Sequence, residues 1–227
     1  MKRILPLLAL FLSAPSLRAD DGFFFKKGDK IVFLGDSITE QYEYSSFMEL
    51  YLTTRFPDWN LTFLNAGIGG DTAQGGANRF KSHILDEKPS AVTINFGMND
   101  GGYGQFDKNR NEVYAKNTIA MLDAAKKENI RVALFSPNAV DPRIRPDFKV
   151  YLETQKQFYA PLKEIAEKHG ASFVDQYAVT RAVLEKLAAD GAKDVRPFGD
   201  GFHTSSPGGL LMAHSLLVGL KEPAVVS

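Results

Sequence analysis

Between residues 30 and 175, short apolar runs rich in β-branched and aromatic residues alternate with longer segments of helical period, and no other feature constrains the fold as much. Alternation of this kind implies a parallel sheet covered by helices on both faces, because each strand must bury two sides and each crossover needs a long connection. The apolar runs place strands at 30–34, 61–65, 91–96, 131–136 and 172–175. Helices are expected at 45–55, 73–86, 111–128, 150–169, 178–189 and 207–220. Pro207 suits the first turn of the last one, where a missing N–H does no harm. In the third helix Ala115, Ile119, Leu122 and Ala125 recur at spacings of three and four and fall on one face. No internal repeat, low-complexity tract or long linker interrupts the pattern, so residues 20–227 read as one domain.

Residues 1–19 have the build of a cleaved export signal: Lys2 and Arg3, an apolar stretch over 4–12, and small residues ending at Ala19 before Asp20 and Asp21. That apolar core is too short to span a bilayer. The expectation is a secreted or periplasmic protein with no stable membrane insertion once the signal is removed. The whole chain balances 27 basic against 27 acidic residues, and loss of Lys2, Arg3 and Arg18 leaves the remainder slightly acidic. Such a balance suggests no nucleic-acid partner. Cysteine is absent, so stabilisation must come from the core rather than from disulfides. The apolar ending Ala224-Val225-Val226-Ser227 reads either as a frayed tail or as the start of a strand that continues elsewhere.

Several strand exits carry groups with chemical use. After the first strand comes Gly35-Asp36-Ser37-Ile38-Thr39, where a glycine permits a sharp exit and the serine can project from the turn. Serine is a poor nucleophile at neutral pH and needs a base within hydrogen-bond reach and a third group to orient that base. Asp200-Gly201-Phe202-His203 offers both, since Asp200 can accept from one imidazole nitrogen while the other faces Ser37. After the second strand, Asn65-Ala66-Gly67-Ile68-Gly69-Gly70-Asp71-Thr72 forms a tight loop. Asp71 or Thr72 can cap the next helix there, and the Gly70 amide can also face the site. After the third strand, Asn95-Phe96-Gly97-Met98-Asn99-Asp100 places the Asn99 amide either in a turn or as a donor to a developing oxyanion. With a flavodoxin-like strand order of 2-1-3-4-5, drawn by analogy, these blocks share the edge where ligands collect near the reversal of strand order.

Together the blocks resemble the SGNH hydrolases, also called GDSL-type esterases and lipases, with Ser, Gly, Asn and His in this order and Asp three residues before His. The resemblance runs from Ile31 to about Leu220, with Ile38 where the GDSL name expects Leu. It implies a three-layer α/β/α sandwich with a mostly five-stranded parallel sheet, and neither a metal nor an organic cofactor. It also implies that Ser37 is the nucleophile, His203 the general base and then acid, and Asp200 the group that orients His203. The implied oxyanion hole consists of the amides of Ser37 and Gly70 and the side chain of Asn99. Gly-x-Ser-x-Gly does not occur, which separates the chain from the α/β-hydrolase elbow. The expected activity is hydrolysis of carboxylic esters through an acyl-Ser37 intermediate, with short acyl groups on a carbohydrate or other small molecule as the leading substrates.

Residues 137–146 carry three prolines and two arginines and do not resemble the long apolar lid that would shield a fatty chain. The expectation is an open, polar site in which Arg143 or Arg145 meets an anionic or hydroxyl-rich leaving portion; solvated surface is the alternative. The same catalytic residues would also serve a lysophospholipase or a lipid esterase resembling the platelet-activating-factor acetylhydrolases. A non-catalytic carbohydrate-binding module is disfavoured by the joint presence of Ser37, Asp200 and His203. A metal-dependent phosphoesterase would need Asp36, Asp71 and Asp100 to converge on a cation. His83, His169 and His214 lie in helical segments and read as surface or packing residues. Asp36 and Asp100 read as partners of nearby backbone.

Overall fold

The computed structural model describes residues 22–223; the stretch expected to be an export signal, 1–19, and the apolar ending at 224–227 lie outside them. Five strands form one parallel sheet: β1 Lys30–Gly35, β2 Thr62–Gly67, β3 Ala91–Asn95, β4 Arg131–Ser136 and β5 Ser172–Asp175. Their spatial order is β2-β1-β3-β4-β5, as expected from the sequence. Burial follows from that order. β1, β3 and β4 are covered on both faces and buried almost throughout, whereas the edge strands β2 and β5 alternate with exposed positions.

Eight helices complete the fold: α1 Ser37–Glu40, α2 Glu43–Arg55, α3 Ala73–His83, α4 Lys108–Lys127, α5 Lys149–Tyr159, α6 Leu162–His169, α7 Gln176–Ala189 and α8 Ser206–Gly219, counted among the described residues. The chain moves from β1 outward to β2 and then doubles back past β1 to β3. With right-handed crossovers, that reversal puts α2 on one face and α3, α4 and α6 on the other. The helix contacts agree, since α2 packs on α8 while α4 packs on α3 and α6. The reversal also leaves a crevice at the carboxyl ends of β1 and β3, where chain leaves the sheet in opposite directions.

Two helical expectations need correction. The helix expected over 150–169 is two helices, because Pro161 has no N–H to continue the ladder and its ring would crowd the preceding turn. In α4 the buried stripe is Tyr114, Thr118, Met121, Leu122 and Ala125. Ala115 and Ile119 pack on its flank and are only partly buried. The large aromatic ring at Tyr114 is fully buried in that face, which turns the stripe by about one residue from Ala115 and Ile119.

Candidate active site

Ser37 is the first residue of α1, immediately beyond β1. Asp36 caps that helix, accepting the Ile38 N–H at 3.0 Å. Gly35 lets the strand end and α1 approach closely: a Cβ there would sit 2.7 Å from the Asn95 carbonyl oxygen and collide with the Thr39 hydroxyl. The Gly35 carbonyl is held by the Ile68 amide at 3.1 Å and by Arg79 Nη2 at 3.1 Å. Arg79 also donates to the Ala66 carbonyl and to Asp71 Oδ2, both at 2.8 Å. One guanidinium thus ties together the ends of β1 and β2 and the loop that follows β2.

His203 arrives on a different kind of support. Residues 197–205 form a loop closed by an antiparallel bridge between Phe198 and Thr204, with Gly199 N donating to His203 O at 2.9 Å. Within it Asp200 Oδ1 accepts from the amides of His203 at 2.8 Å and Phe202 at 3.1 Å. Its other oxygen lies 2.7 Å from His203 Nδ1, and His203 Nε2 lies 2.8 Å from Ser37 Oγ. A carboxylate only accepts, so the imidazole proton sits on Nδ1 and the Nε2 lone pair faces the serine hydroxyl. Partial burial lifts the Asp200 carboxyl, but the His203 amide and imidazole and the Phe202 amide outweigh it and hold the carboxyl below its usual range. The Phe202 ring lies 4.1 Å from the imidazole, centre to centre. Thr204 Oγ1 donates to Gln41 Oε1 at 3.2 Å, which links the loop to the end of α1.

Asn99 lies beyond β3. Its Nδ2 donates to the Asp71 carbonyl at 2.8 Å and its Oδ1 accepts from Tyr103 OH at 2.8 Å. An amide nitrogen has two hydrogens, so one remains for another acceptor. Gly70 sits in the turn between β2 and α3, and its amide makes no hydrogen bond among the described residues. Ser37, His203 and Asp200 therefore form a continuous relay. Asn99 and the Gly70 loop reach the same sheet edge through the shared contact at Asp71.

The three aspartates at the strand ends are each committed elsewhere. Burial, opposed by the Ile38 amide and reinforced by Asp100 and Asp71, pushes the Asp36 carboxyl up to about 7. Burial likewise pushes Asp100 up to about 6 against the Ala73 amide, which donates to it at 3.0 Å. Asp71 pairs with Arg79. Among the described residues no group of three or more His, Cys, Asp or Glu is placed to hold a metal ion.

The loop after β4 corrects a further expectation. Residues 137–141 are buried, and they brace the loop that carries His203: Asn138 Nδ2 donates to Phe202 O at 3.0 Å and Asp141 N to Gly201 O at 2.7 Å. Arg143 is not open to a substrate. Its Nε and Nη2 hold both oxygens of the buried Asp141 at 2.9 and 2.7 Å, and Nη1 and Nη2 hold the carbonyls of Ala192 and Val195. Four of its five N–H groups are thereby used. Arg145 is half exposed and stays beside the His203 loop, but it pairs with both oxygens of Asp147. His83 and His169 contact Arg79 and Asp123, and they and His214 lie on α3, α6 and α8, apart from the relay. Sequence reasoning missed Arg79 and Tyr103, which no spacing marks.

Comparison with known proteins adds three findings. A model of the GDSL-like Lipase/Acylhydrolase family matches residues 33–209. An acetylxylan esterase of Geobacillus stearothermophilus is 26% identical over 84% of this chain and 93% of its own length, and the thioesterase 1/protease 1/lysophospholipase L1 of Escherichia coli K12 is 27% identical over 59% and 65%. A solved structure of an acetyl-xylooligosaccharide esterase variant from Geobacillus superposes with a TM-score of 0.75 at 24% identity, covering 90% of this chain and 99% of that one. That superposition shares the fold described above.

Proposed function

We propose, since the chain belongs to the GDSL-like lipase/acylhydrolase family and is a carboxylic-ester hydrolase, that it removes short acyl groups, acetyl foremost, from hydroxyl-rich substrates such as acetylated sugars. The observation that carries the reading is the relay of 2.8 Å from Ser37 Oγ to His203 Nε2 and 2.7 Å from His203 Nδ1 to Asp200. Ser37 Oγ attacks the ester carbonyl carbon while Nε2 takes the hydroxyl proton, and Asp200 stabilises the imidazolium that results. Negative charge gathers on the carbonyl oxygen, which the amides of Ser37 and Gly70 and the free Asn99 N–H receive. Collapse expels the alcohol, to which His203 returns the proton. Water, deprotonated in turn by His203, then attacks the acyl-serine and releases the acid.

The short-acyl preference draws support from the acetylxylan esterase relative and from the loop after β4, whose first half, residues 137–141, is packed into the protein rather than free to act as a flap. A groove that buried a fatty chain would gain about 0.8 kcal/mol per methylene, close to a fourfold rise in efficiency for each. Along aryl esters from acetate to palmitate, catalytic efficiency should instead be highest at acetate. A maximum at about eight carbons or beyond would move the assignment to a lipid esterase. Labelling by a fluorophosphonate should map to Ser37 and vanish in Ser37→Ala; labelling of another serine in active protein would remove the core of the reading. Export through residues 1–19 belongs to the same proposal, and cleavage after Ala19 can be read from the mature N-terminus. Among the described residues no helix is long and apolar enough to cross a membrane.

A further inference from the structure

Asn99 is gripped from both ends, and one grip comes from a residue in an unusual conformation. Tyr103, in the loop between β3 and α4, has a φ of 58°, in the left-handed region that a residue bearing a Cβ adopts only at a cost in free energy. Its ring is enclosed by Phe148 at 5.7 Å, Tyr151 at 5.2 Å and Phe202 at 5.4 Å between centres. Tyr151 in turn donates to the Met98 carbonyl at 2.6 Å, fixing the stretch just ahead of Asn99. This packing places the Tyr103 hydroxyl 2.8 Å from Asn99 Oδ1. Burial, with Asp36 and Asp200 adding to it, raises the phenol well above its ordinary range, so the hydroxyl keeps its proton.

We propose that Tyr103 is a positioning residue of the hydrolase, whose hydroxyl fixes and polarises the Asn99 amide as an oxyanion donor. The Asp71 carbonyl can only accept, so it selects the face on which Nδ2 stands. Without Tyr103 that single bond would hold the amide, and Oδ1 would have no partner among the described residues. A hydrogen bond to the amide oxygen also draws charge through the C–N bond and makes the remaining N–H a stronger donor. The ring contact with Phe202, itself against His203, means that the oxyanion side and the base side are braced by one aromatic cluster.

This inference rests on Asn99 acting as an oxyanion donor, and the test separates the two. Tyr103→Phe keeps the ring and its packing and removes only the hydroxyl. It should lower kcat roughly three- to tenfold, leave KM within about twofold, and weaken a tetrahedral boronic-acid inhibitor by the same factor as kcat/KM. In an Asn99→Ala background the same substitution should have no further effect on kcat. If Asn99→Ala lowers kcat but Tyr103→Phe does not, or if Tyr103→Phe costs the same factor in both backgrounds, the positioning role is overturned and the oxyanion assignment survives. If Asn99→Ala leaves kcat unchanged, both fall.

Discussion

The two halves of the relay are held by opposite means. On the nucleophile side, Ile31, Val32, Phe33 and Leu34 are at most 1% exposed, and the strand delivers Ser37 out of the sheet with Gly35, Arg79 and the Asp36 cap locking its exit. On the base side, the Asp200 side chain is 51% exposed and that of His203 is 29% exposed. There, position comes from hydrogen bonds within a short loop and from supports outside it: Asn138, the Asp141 amide, Gln41 against Thr204 and Tyr103 against Phe202. The contrast teaches where damage should appear. Substitutions that disturb the packing around Ser37 should cost stability along with activity, because the site is continuous with the core. Substitutions in the base loop should cost activity and little else.

The largest effects are catalytic and set the scale for the rest. Ser37→Ala should lower kcat by about four to six orders of magnitude. Asp200→Asn should lower it by roughly two to four orders, since an amide facing Nδ1 favours the wrong imidazole tautomer. The Asp200 variant should nevertheless melt close to the parent, because its other oxygen still accepts the two loop amides. A melting temperature that fell steeply in Asp200→Asn would break the contrast between a core-borne nucleophile and a loop-borne base.

A matched pair of glycine substitutions tests the same contrast through stability alone. Gly35→Ala must push a methyl group against the Asn95 carbonyl oxygen and Thr39, and urea denaturation should show a loss of about 3 kcal/mol. Gly201 has a φ of 100° in the base loop, and a Cβ there would lie 2.9 Å from Arg145 Cγ, the stem of a flexible, half-exposed side chain. The expected loss for Gly201→Ala is about 1 kcal/mol, with a proportionally larger fall in kcat. Equal losses of stability would show that the base loop is as much a part of the core as β1.

The two sides also differ in the pH range that they govern. Asp36 is fully buried on the nucleophile side, and its carboxyl is raised from an ordinary 3.8 to about 7. The folded state therefore binds the proton more tightly than the unfolded chain, and this contribution to stability is present at low pH and lost as pH rises from about 4 to 7. Asp100 adds a slope of the same sign up to about 6. Asp200 is depressed, so its contribution holds above the ordinary carboxylate value and is lost only in stronger acid. Asp36→Asn should gain on the parent between pH 5 and pH 8 by on the order of 2 kcal/mol. A stability curve whose slope between these values is unchanged by Asp36→Asn would place the titration elsewhere.

How much of this was legible beforehand follows from the range of the contacts. The strands could be read because buried parallel strands are continuous apolar runs, their order only by analogy with flavodoxin-like sheets, and the Asp200–His203 pair because its geometry is local. Pro161 is a local signal as well, and it divides a stretch that periodicity alone reads as one helix. What periodicity cannot encode are polar side chains reaching across the chain: Arg79 to Gly35, Tyr103 closing on an amide that is also held by Asp71, and Asn138 bracing Phe202. The arginines of the loop after β4 did carry a clue. Arg143 follows Asp141 by two residues and Arg145 precedes Asp147 by two, and each arginine turns to that neighbour rather than to the site.

Arg145 supplies the smallest test, and the one closest to the substrate. Its Nε and Nη2 donate to the two Asp147 oxygens at 3.0 and 2.6 Å, and its guanidinium carbon lies 4.4 Å from the centre of the Phe148 ring. A cation so occupied and half in solvent gives little to a substrate anion, which must compete with a carboxylate already in place. Arg145→Ala should therefore change KM for an acetyl ester of a carboxylate-bearing alcohol by less than about threefold, with kcat unaltered. Asp147→Ala would free the guanidinium, and KM should then fall for the anionic ester and stay constant for a neutral one, an advantage that added salt removes. A fall in kcat in Arg145→Ala would mean that its stem props Gly201 and that the base loop leans on it. A rise in KM of about tenfold or more, confined to anionic esters, would restore Arg145 as a substrate-binding residue and give the exposed side of the relay a recognition role that the buried side lacks.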